Sequence, residues 1–507
     1  MRTLLMSIIA VLSVAVAPAH AIADQNRPWF PSLMSFEHYD SGRTHLFEQA
    51  RFGGSFGRRN QVEVRTAPVL YPTGYNMVYL NPREVFLYGG GYGNIDDATG
   101  AFVAKVDPDT LEPIWYRPLI DTQQNGEWNY PGVLSILNDG NLYVIFGYRL
   151  AKLDRDGNLI KQVELPTGEG LPEDTSYNGF DALPDGTLIA KTVYRPQGCP
   201  VQGPPALFQC GLLGYPTPPP SIMISIDPRT LEVIDHVTLP APVGGRPTTA
   251  RFHGKDYVYL VSPQTAFRYE IKKGHFTTHD NPDPSWQPGN IYTSGQSLGS
   301  AVVIMNDWFV VQTNGSSVQS NLQPTQAPLS VIAISQAAGP DGVPTRQFSA
   351  QPFANLPVPS YIAQACGGCT SWAPMSVSVD PTHNLIYTAD SAPGAIAALE
   401  LTSKGLRTVW TVLQRTTEFL TLIGPRSRRV LVGTEIPPGQ VPLGNDSDFV
   451  VWRDAQTGDE LARTQALPAM TSGTMIQPYY FGKMFYMGLD PGNLIELTVE
   501  PAPATRR

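Results

Sequence analysis

Apolar and polar positions alternate along most of the chain in short paired segments, broken by Asn, Asp, Gly and Pro. Alternation with period two marks half-buried strands, and the interruptions mark tight turns. Asn76 to Tyr88 leads to Phe102 to Pro118. Val133 to Phe146, turning at Asn138-Asp139-Gly140, leads to Leu150 to Leu165. Tyr177 to Tyr194, turning at Pro184-Asp185-Gly186, leads to Ile222 to Leu239, and Thr248 to Val261 leads to Ala266 to His279. Ser300 to Gln312 leads to Leu329 to Phe353, and Met375 to Ala389 to Ala395 to Leu413. Phe419 to Glu435 leads to Asp448 to Leu467, and Met475 to Leu489 to Asn493 to Val499.

These are eight units of about 50 residues, the length of a propeller blade. The pattern predicts an all-β protein: a single closed β-propeller of eight four-stranded blades with an N-terminal arm, or seven blades if two weaker units merge. The eighth unit lacks an outermost strand, and Gln61 to Leu70 is expected to supply it, since an open ring would leave sheet faces and edges exposed. The boundaries are 1–21 for a leader, 22–60 for the arm or a lid, 61–499 for the propeller and 500–507 for a tail.

One phrase recurs within this frame. Val106-Asp-Pro-Asp-Thr-Leu-Glu-Pro-Ile-Trp115 returns as Ile226-Asp-Pro-Arg-Thr-Leu-Glu-Val-Ile-Asp235, with looser copies at Leu153 to Ile160 and Arg453 to Leu461. Each reads as a strand, a tight turn and a second strand. The strand–(Asp-Pro-x-Thr)–strand phrase followed by Trp115 resembles the repeat of quinoprotein-type (PQQ-like) propellers. Val379-Asp-Pro-Thr-His-Asn-Leu-Ile-Tyr387 resembles the related YVTN-type repeat. The resemblance implies a propeller and admits a quinoprotein-like oxidoreductase with a quinone cofactor. It equally admits scaffolds and binding proteins. The chain departs from the alcohol-oxidising quinoproteins in lacking an adjacent Cys-Cys pair.

Composition adds the compartment. Arg2, the apolar run Leu4 to Val16 and Ala19-His20-Ala21 read as a secretory signal with its cleavage site, so a periplasmic or secreted protein is expected, with no membrane span after it. Charged residues are only 16% of the chain, against 46 Gly and 48 Pro, which suits short strands and many turns. A formal charge of −9 argues against nucleic acid as a partner. Four Cys in an exported chain suggest two disulfides, Cys199–Cys210 and Cys366–Cys369, with the other pairings left open. Thr370 stands where a c-type haem motif needs His, so that cofactor is rejected. Gly367-Gly368 between strands gives the C-x-x-C no helix to open, so a redox role is disfavoured.

Residues 22–60 carry many aromatics with little periodicity. They read as an arm packed across a face of the ring, or as a lid whose His38, Arg43 or His45 reaches a central site. Pro196 to Pro220 reads as an irregular surface loop. His275 and His279 have helical spacing but lie in a hairpin pattern, so no shared metal face is expected.

In a propeller the loops leading into the innermost strands converge on one face. Here they hold Glu127, Trp128, Asn129, Tyr130, Ser176, Tyr177, Asn178, Arg246, Gln296, Trp372, Thr417, Glu418, Thr471 and Ser472. Amides, hydroxyls and aromatics of this kind make small-molecule sites. Asn129, Tyr130, Tyr177, Asn178, Gln296, Trp372 and Thr471 are the candidate ligand contacts. Glu418, at the head of the apolar run Phe419 to Ile423, and Glu127 are the candidate catalytic carboxylates. A carboxylate in such a place is a base with raised pKa or a calcium ligand, and Glu127, Asn129 and Asn178 form a candidate calcium set. Asp181 and Asp390 are weaker candidates of the same type. The expected partner is a small organic molecule. The competing functions are a quinoprotein-like oxidoreductase, a calcium-dependent hydrolase, lactonase or lyase, and a non-catalytic propeller.

Overall fold

The computed structural model describes residues 28–502, apart from 58–59, 91–99, 121–125, 129, 263–264, 280, 292–294, 297–300, 314–322 and 471–472. Its strands form the eight blades of a propeller. The innermost strands of blades 1 to 8 are Gly74–Asn81, Val133–Ile136, Thr175–Ala182, Thr248–Phe252, Val303–Met305, Ser378–Asp380, Thr421–Ile423 and Gln477–Pro478. The loops before them share one face, here called the mouth. Asn60–Leu70 pairs antiparallel with Asn493–Pro501 and completes blade 8, so the two ends of the chain close the ring on each other.

Inner and middle strands such as Leu142–Phe146 and Thr175–Ala182 are buried along their length because both of their faces are covered by neighbouring blades, whereas outer strands such as Gly405–Leu413 alternate. The core is a set of interblade layers. Phe86, Tyr88 and Val103 of blade 1 meet Leu134, Val144 and Leu153 of blade 2, and each later junction repeats the arrangement.

The recurring phrase forms the hairpin between the third and fourth strands. Asp107 Oδ1 accepts from the Asp109 N–H at 2.8 Å, and Asp227 Oδ1 accepts from Arg229 N–H at 2.8 Å. The last turn position takes positive φ, filled by buried Leu111 (φ 64°) and Leu231 (φ 57°) but by Gly157 and Gly458 in the looser copies. The glycines answer to the preceding blade. A Cβ on Gly458 would lie 2.9 Å from the Trp410 ring, and one on Gly157 would lie 3.0 Å from Trp115. Gly458→Ala is therefore expected to cost about 1–3 kcal/mol, by overpacking the Trp410 contact. A lower urea midpoint with an unchanged m value checks it.

The arm enters the ring and carries His38, Arg43 and His45 into the channel. Residues 29–47 run inside the ring, touching one innermost strand after another. Phe30 N–H donates to Ile136 O, Tyr79 N–H to Met34 O, Ile304 N–H to Gly42 O, and Val379 N–H to Thr44 O. Leu46–Phe47 then adds a parallel strand to Leu422–Ile423 of blade 7. Phe36 and Phe47 are fully buried, and Phe36 stacks on Trp29 at 4.2 Å. The insertion differs from an irregular loop: Ala206–Leu212 is a short helix.

Both expected disulfides are present, Cys199–Cys210 with S–S 2.05 Å and Cys366–Cys369 with 2.09 Å. The first anchors the insertion helix. The second follows the helix Ser360–Ala365, so Cys366 ends a helix rather than opening one.

Candidate functional site

Beneath the mouth, the arm brings ionisable side chains into the channel. Glu37 lies between two guanidinium groups: Arg43 Nη1 is 3.1 Å from its Oε1, and Arg246 Nη1, from the loop leading into blade 4, meets its Oε2. Arg246 Nη2 also donates to the Tyr75 hydroxyl at 2.5 Å, and Arg43 Nε to Pro247 O at 2.9 Å. Burial alone would raise the pKa of Glu37, but Arg246, His38 and Arg43 hold it well below the usual range.

A chain of polar contacts crosses from there toward blade 7. His38 Nε2 is 3.4 Å from Glu37 Oε1, His38 Nδ1 is 2.6 Å from His45 Nε2, and His45 Nδ1 is 2.9 Å from Ser378 Oγ. The Ser378 hydroxyl donates to Leu420 O at 2.5 Å, so it accepts from His45 Nδ1–H. His45 Nε2 then accepts from His38 Nδ1–H. That polarity spends the Ser378 proton on a backbone carbonyl and leaves it no nucleophile's role. Burial lowers both imidazoles, His38 to about 4, so both are neutral at pH 7. Phe419 closes the floor, its ring 5.1 Å from His38 and 5.3 Å from His45.

On the blade 7 side of the mouth, Glu418 is 2% exposed. Thr417 Oγ1 donates to its Oε1 at 2.9 Å, and the N–H of Thr474, in the loop leading into blade 8, donates to Oε2 at 3.1 Å. A second buried carboxyl, Asp448, lies beside it at the head of a strand, held by Asn445 Nδ2 at 3.0 Å and Met470 N–H at 2.8 Å. Burial first, and then the charge of Asp448, push Glu418 well above the normal carboxylate range. Burial pushes Asp448 up to about 6 against the hydrogen bonds it accepts. The Tyr486 phenol is raised by the same burial and by both carboxyls.

Asp448 gives a testable sign. Its folded pKa exceeds the ordinary 3.8, so the unfolded chain binds fewer protons than the native state between about pH 4 and 6. Stability from this group is therefore lost as pH rises through that window. Asp448→Asn is expected to flatten the fall, and to lower the pKa of Glu418 by removing a like charge. Urea midpoints at pH 4 and 7 in the two proteins check the first effect, and the pH–rate profile checks the second.

The remaining expected residues divide. Tyr130 stands at the mouth, 4.8 Å from the buried Trp128 ring, whose Nε1 donates to Gly203 O at 3.1 Å. Asn178 is there too, donating to Gly244 O at 2.8 Å and accepting from Lys191 Nζ at 3.1 Å. Tyr177, its neighbour in the strand, packs in the blade 2–3 core and donates its hydroxyl to Pro166 O at 2.5 Å. Gln296 is buried and donates to Ala327 O at 3.0 Å. Trp372 packs in a cluster with Ile362, Cys366 and Ala392, while its N–H donates to Asp390 Oδ1 at 3.0 Å. Burial raises Asp390 to about 6 and Asp181 to about 7. Glu127 takes both Arg149 Nη1 at 2.6 Å and Nη2 at 2.8 Å. Glu127 and Asn178 thus have separate partners, and no group of three His, Cys, Asp or Glu side chains able to hold a metal ion occurs among the described residues. Asn129 and Thr471 lie outside the described residues.

Glu37, Lys191, Asp448 and Tyr486 belong to the site without having been singled out from the sequence. Lys191 and Asp448 did carry a signal. Lys191 is the one charge within Leu188–Tyr194, and Asp448 precedes the apolar Phe449-Val450-Val451 as Glu418 precedes its own strand.

No protein-family profile matches the chain, and no curated protein matches it in sequence. Its fold is similar to quinohemoprotein alcohol dehydrogenase from Comamonas testosteroni, with a TM-score of 0.51 and 11% identity over 92% of this chain and 80% of that one. It is similar also to a europium-containing methanol dehydrogenase, with a TM-score of 0.50 and 8% identity over 91% and 88% of the two chains. BamB from Moraxella catarrhalis matches at a TM-score of 0.46 and 9% identity, over 86% and 98%. At these identities the likeness is one of fold alone: an eight-bladed β-propeller.

Proposed function

We propose that this is an exported propeller enzyme that acts on a small organic molecule at the channel mouth, with Glu418 as the proton-transfer group. The carrying observation is the buried Glu418–Asp448 pair, two carboxyls raised by burial, one in the loop leading into blade 7 and the other at the head of that blade's third strand. Perturbed, mutually repelling acids of this kind cluster at sites that move protons, whereas an inert scaffold has no use for their cost. Burial, with the charge of Asp448 beside it, favours the protonated form of Glu418. Thr417 and the Thr474 N–H fix the carboxyl, so that as water attacks the acyl carbon it protonates the departing oxygen, and the carboxylate left behind takes up the proton that the attacking water releases. Ester, lactone or eliminative chemistry fits a site with this single proton carrier. Two disulfides and the propeller fold support export to the periplasm or beyond.

The quinoprotein reading asks for a planar quinone buried in the channel. The residues do not fit that group: Glu37, His38, Arg43 and His45 of the arm fill the inner channel. Cys366–Cys369 packs against Ile362 and Ala392, next to the helix that precedes it.

The test is the mature protein against chromogenic esters, lactones and secondary alcohols, with its visible spectrum recorded first. Turnover of an ester or lactone that depends on Glu418, without a chromophore, supports the proposal. A quinone-like absorbance with alcohol oxidation would replace it. Neither activity nor ligand-induced stabilisation would make the ring a non-catalytic scaffold.

A further inference from the structure

We propose that the molecule bound at the mouth carries a carboxylate, and that Arg246, backed by Arg43 and Lys191, is the subsite that receives it. The inference rests on the mouth being the ligand site and says what kind of ligand it takes.

The first ground is charge. Arg43, Arg246 and Lys191 converge below the mouth, and the acids among them are Glu37 and Asp181. With every group ionised, three cations face two anions. With Lys191 and Asp181 both neutral, two face one. In both states, and whenever Asp181 holds the proton that burial favours, at least one buried positive charge has no counter-ion among the described residues, a costly arrangement unless something anionic joins it.

The second ground is the state of each cation. Lys191 is fully buried, and its Nζ meets only neutral acceptors: Val243 O at 2.6 Å, Asn178 Oδ1 at 3.1 Å and Thr192 O at 3.5 Å. Arg43 Nη2 is buried without a hydrogen-bond partner. Arg246 commits one N–H to Glu37 and one to Tyr75, and has no other protein acceptor among the described residues. A guanidinium carries further donors in the same plane, suited to a carboxylate's two oxygens.

The third ground is placement. Arg43 and Lys191 are sealed, but the Arg246 side chain is 11% exposed, so it alone of the three cations reaches the mouth. It lies over Gly179, where φ is 135° and a Cβ would stand 3.4 Å from the Arg246 Cδ and Nε atoms. The Gly179 bulge thus fits the strand to the guanidinium. Tyr130 stands near enough to Arg246 to interact with its charge. Its phenol offers a further donor, and its ring, beside Trp128, offers an apolar wall for the body of the ligand.

The experiment titrates the mature protein with benzoate, malonate and citrate, and with benzamide as the neutral match for benzoate, by calorimetry and thermal unfolding. At least one carboxylate is expected to bind, and benzoate at least tenfold more tightly than benzamide. Arg246→Gln should weaken carboxylate binding at least tenfold. Should that variant fail to fold, Tyr130→Phe, which removes only a hydroxyl, should weaken it severalfold. Equal binding of benzoate and benzamide, no carboxylate binding, or binding indifferent to both substitutions would overturn the inference. Glu418→Gln separates this from the proposed function. It should keep carboxylate binding while losing turnover. Glu418-dependent turnover without carboxylate binding would sink the subsite alone.

Discussion

Glu418→Gln is expected to lower turnover by about 10²–10⁴-fold while leaving the ring folded, the range a positioned proton donor contributes. The amide matches the carboxyl in size and keeps an oxygen for the Thr474 N–H, now 3.1 Å from Oε2. It cannot lend a proton. Because the carboxyl is held well above its normal range, neutralising it removes no native ion pair, and stability near pH 7 should hold or rise. Activity and unfolding measured on the same preparation separate loss of chemistry from loss of fold. A purely structural Glu418 would lower both together.

The second large effect concerns the arm. Phe47→Ala is expected to destabilise the protein by about 3–5 kcal/mol, the cost of emptying a buried aromatic site. Phe47 is fully buried among Ile423, Val432 and Met475, and its strand extends blade 7 into the channel. The loss should appear as a lower urea midpoint with m unchanged. It should also bring weaker ligand binding, since the arm supplies Glu37 to Arg246 and the histidines to the floor. A midpoint within experimental scatter of the parent would mean that the channel does not depend on the arm.

What could be read from the sequence was local. The Asp-Pro-x-Thr hairpin is specified within ten residues by Asp107 accepting its own turn's N–H groups, so its copies announced the blades. The closing strand was legible because blade 8 ran one strand short. The arm's path was not, because its contacts join residues such as Gly42 and Ile304, and it has no period to show which face is buried. The Arg43–Glu37–Arg246 cluster joins residues some 200 positions apart for the same reason. Tyr177 shows a finer limit. It and Asn178 are adjacent in one strand and point to opposite sides, so only Asn178 reaches the channel cluster while Tyr177 enters the core. Glu418 was legible because a carboxylate opening an apolar strand is an anomaly, and burial there raises its pKa.

Glu418 is expected to hold a proton at neutral pH in a site able to pass it on. The protonation state is directly measurable by infrared difference spectroscopy of the mature protein against Glu418→Gln across pH 5 to 9. A protonated-carboxyl C=O band is expected at pH 7 that is absent from the variant and gives way to carboxylate only at higher pH. A Glu418 that is already ionised at pH 5, with no such band to lose, would contradict it.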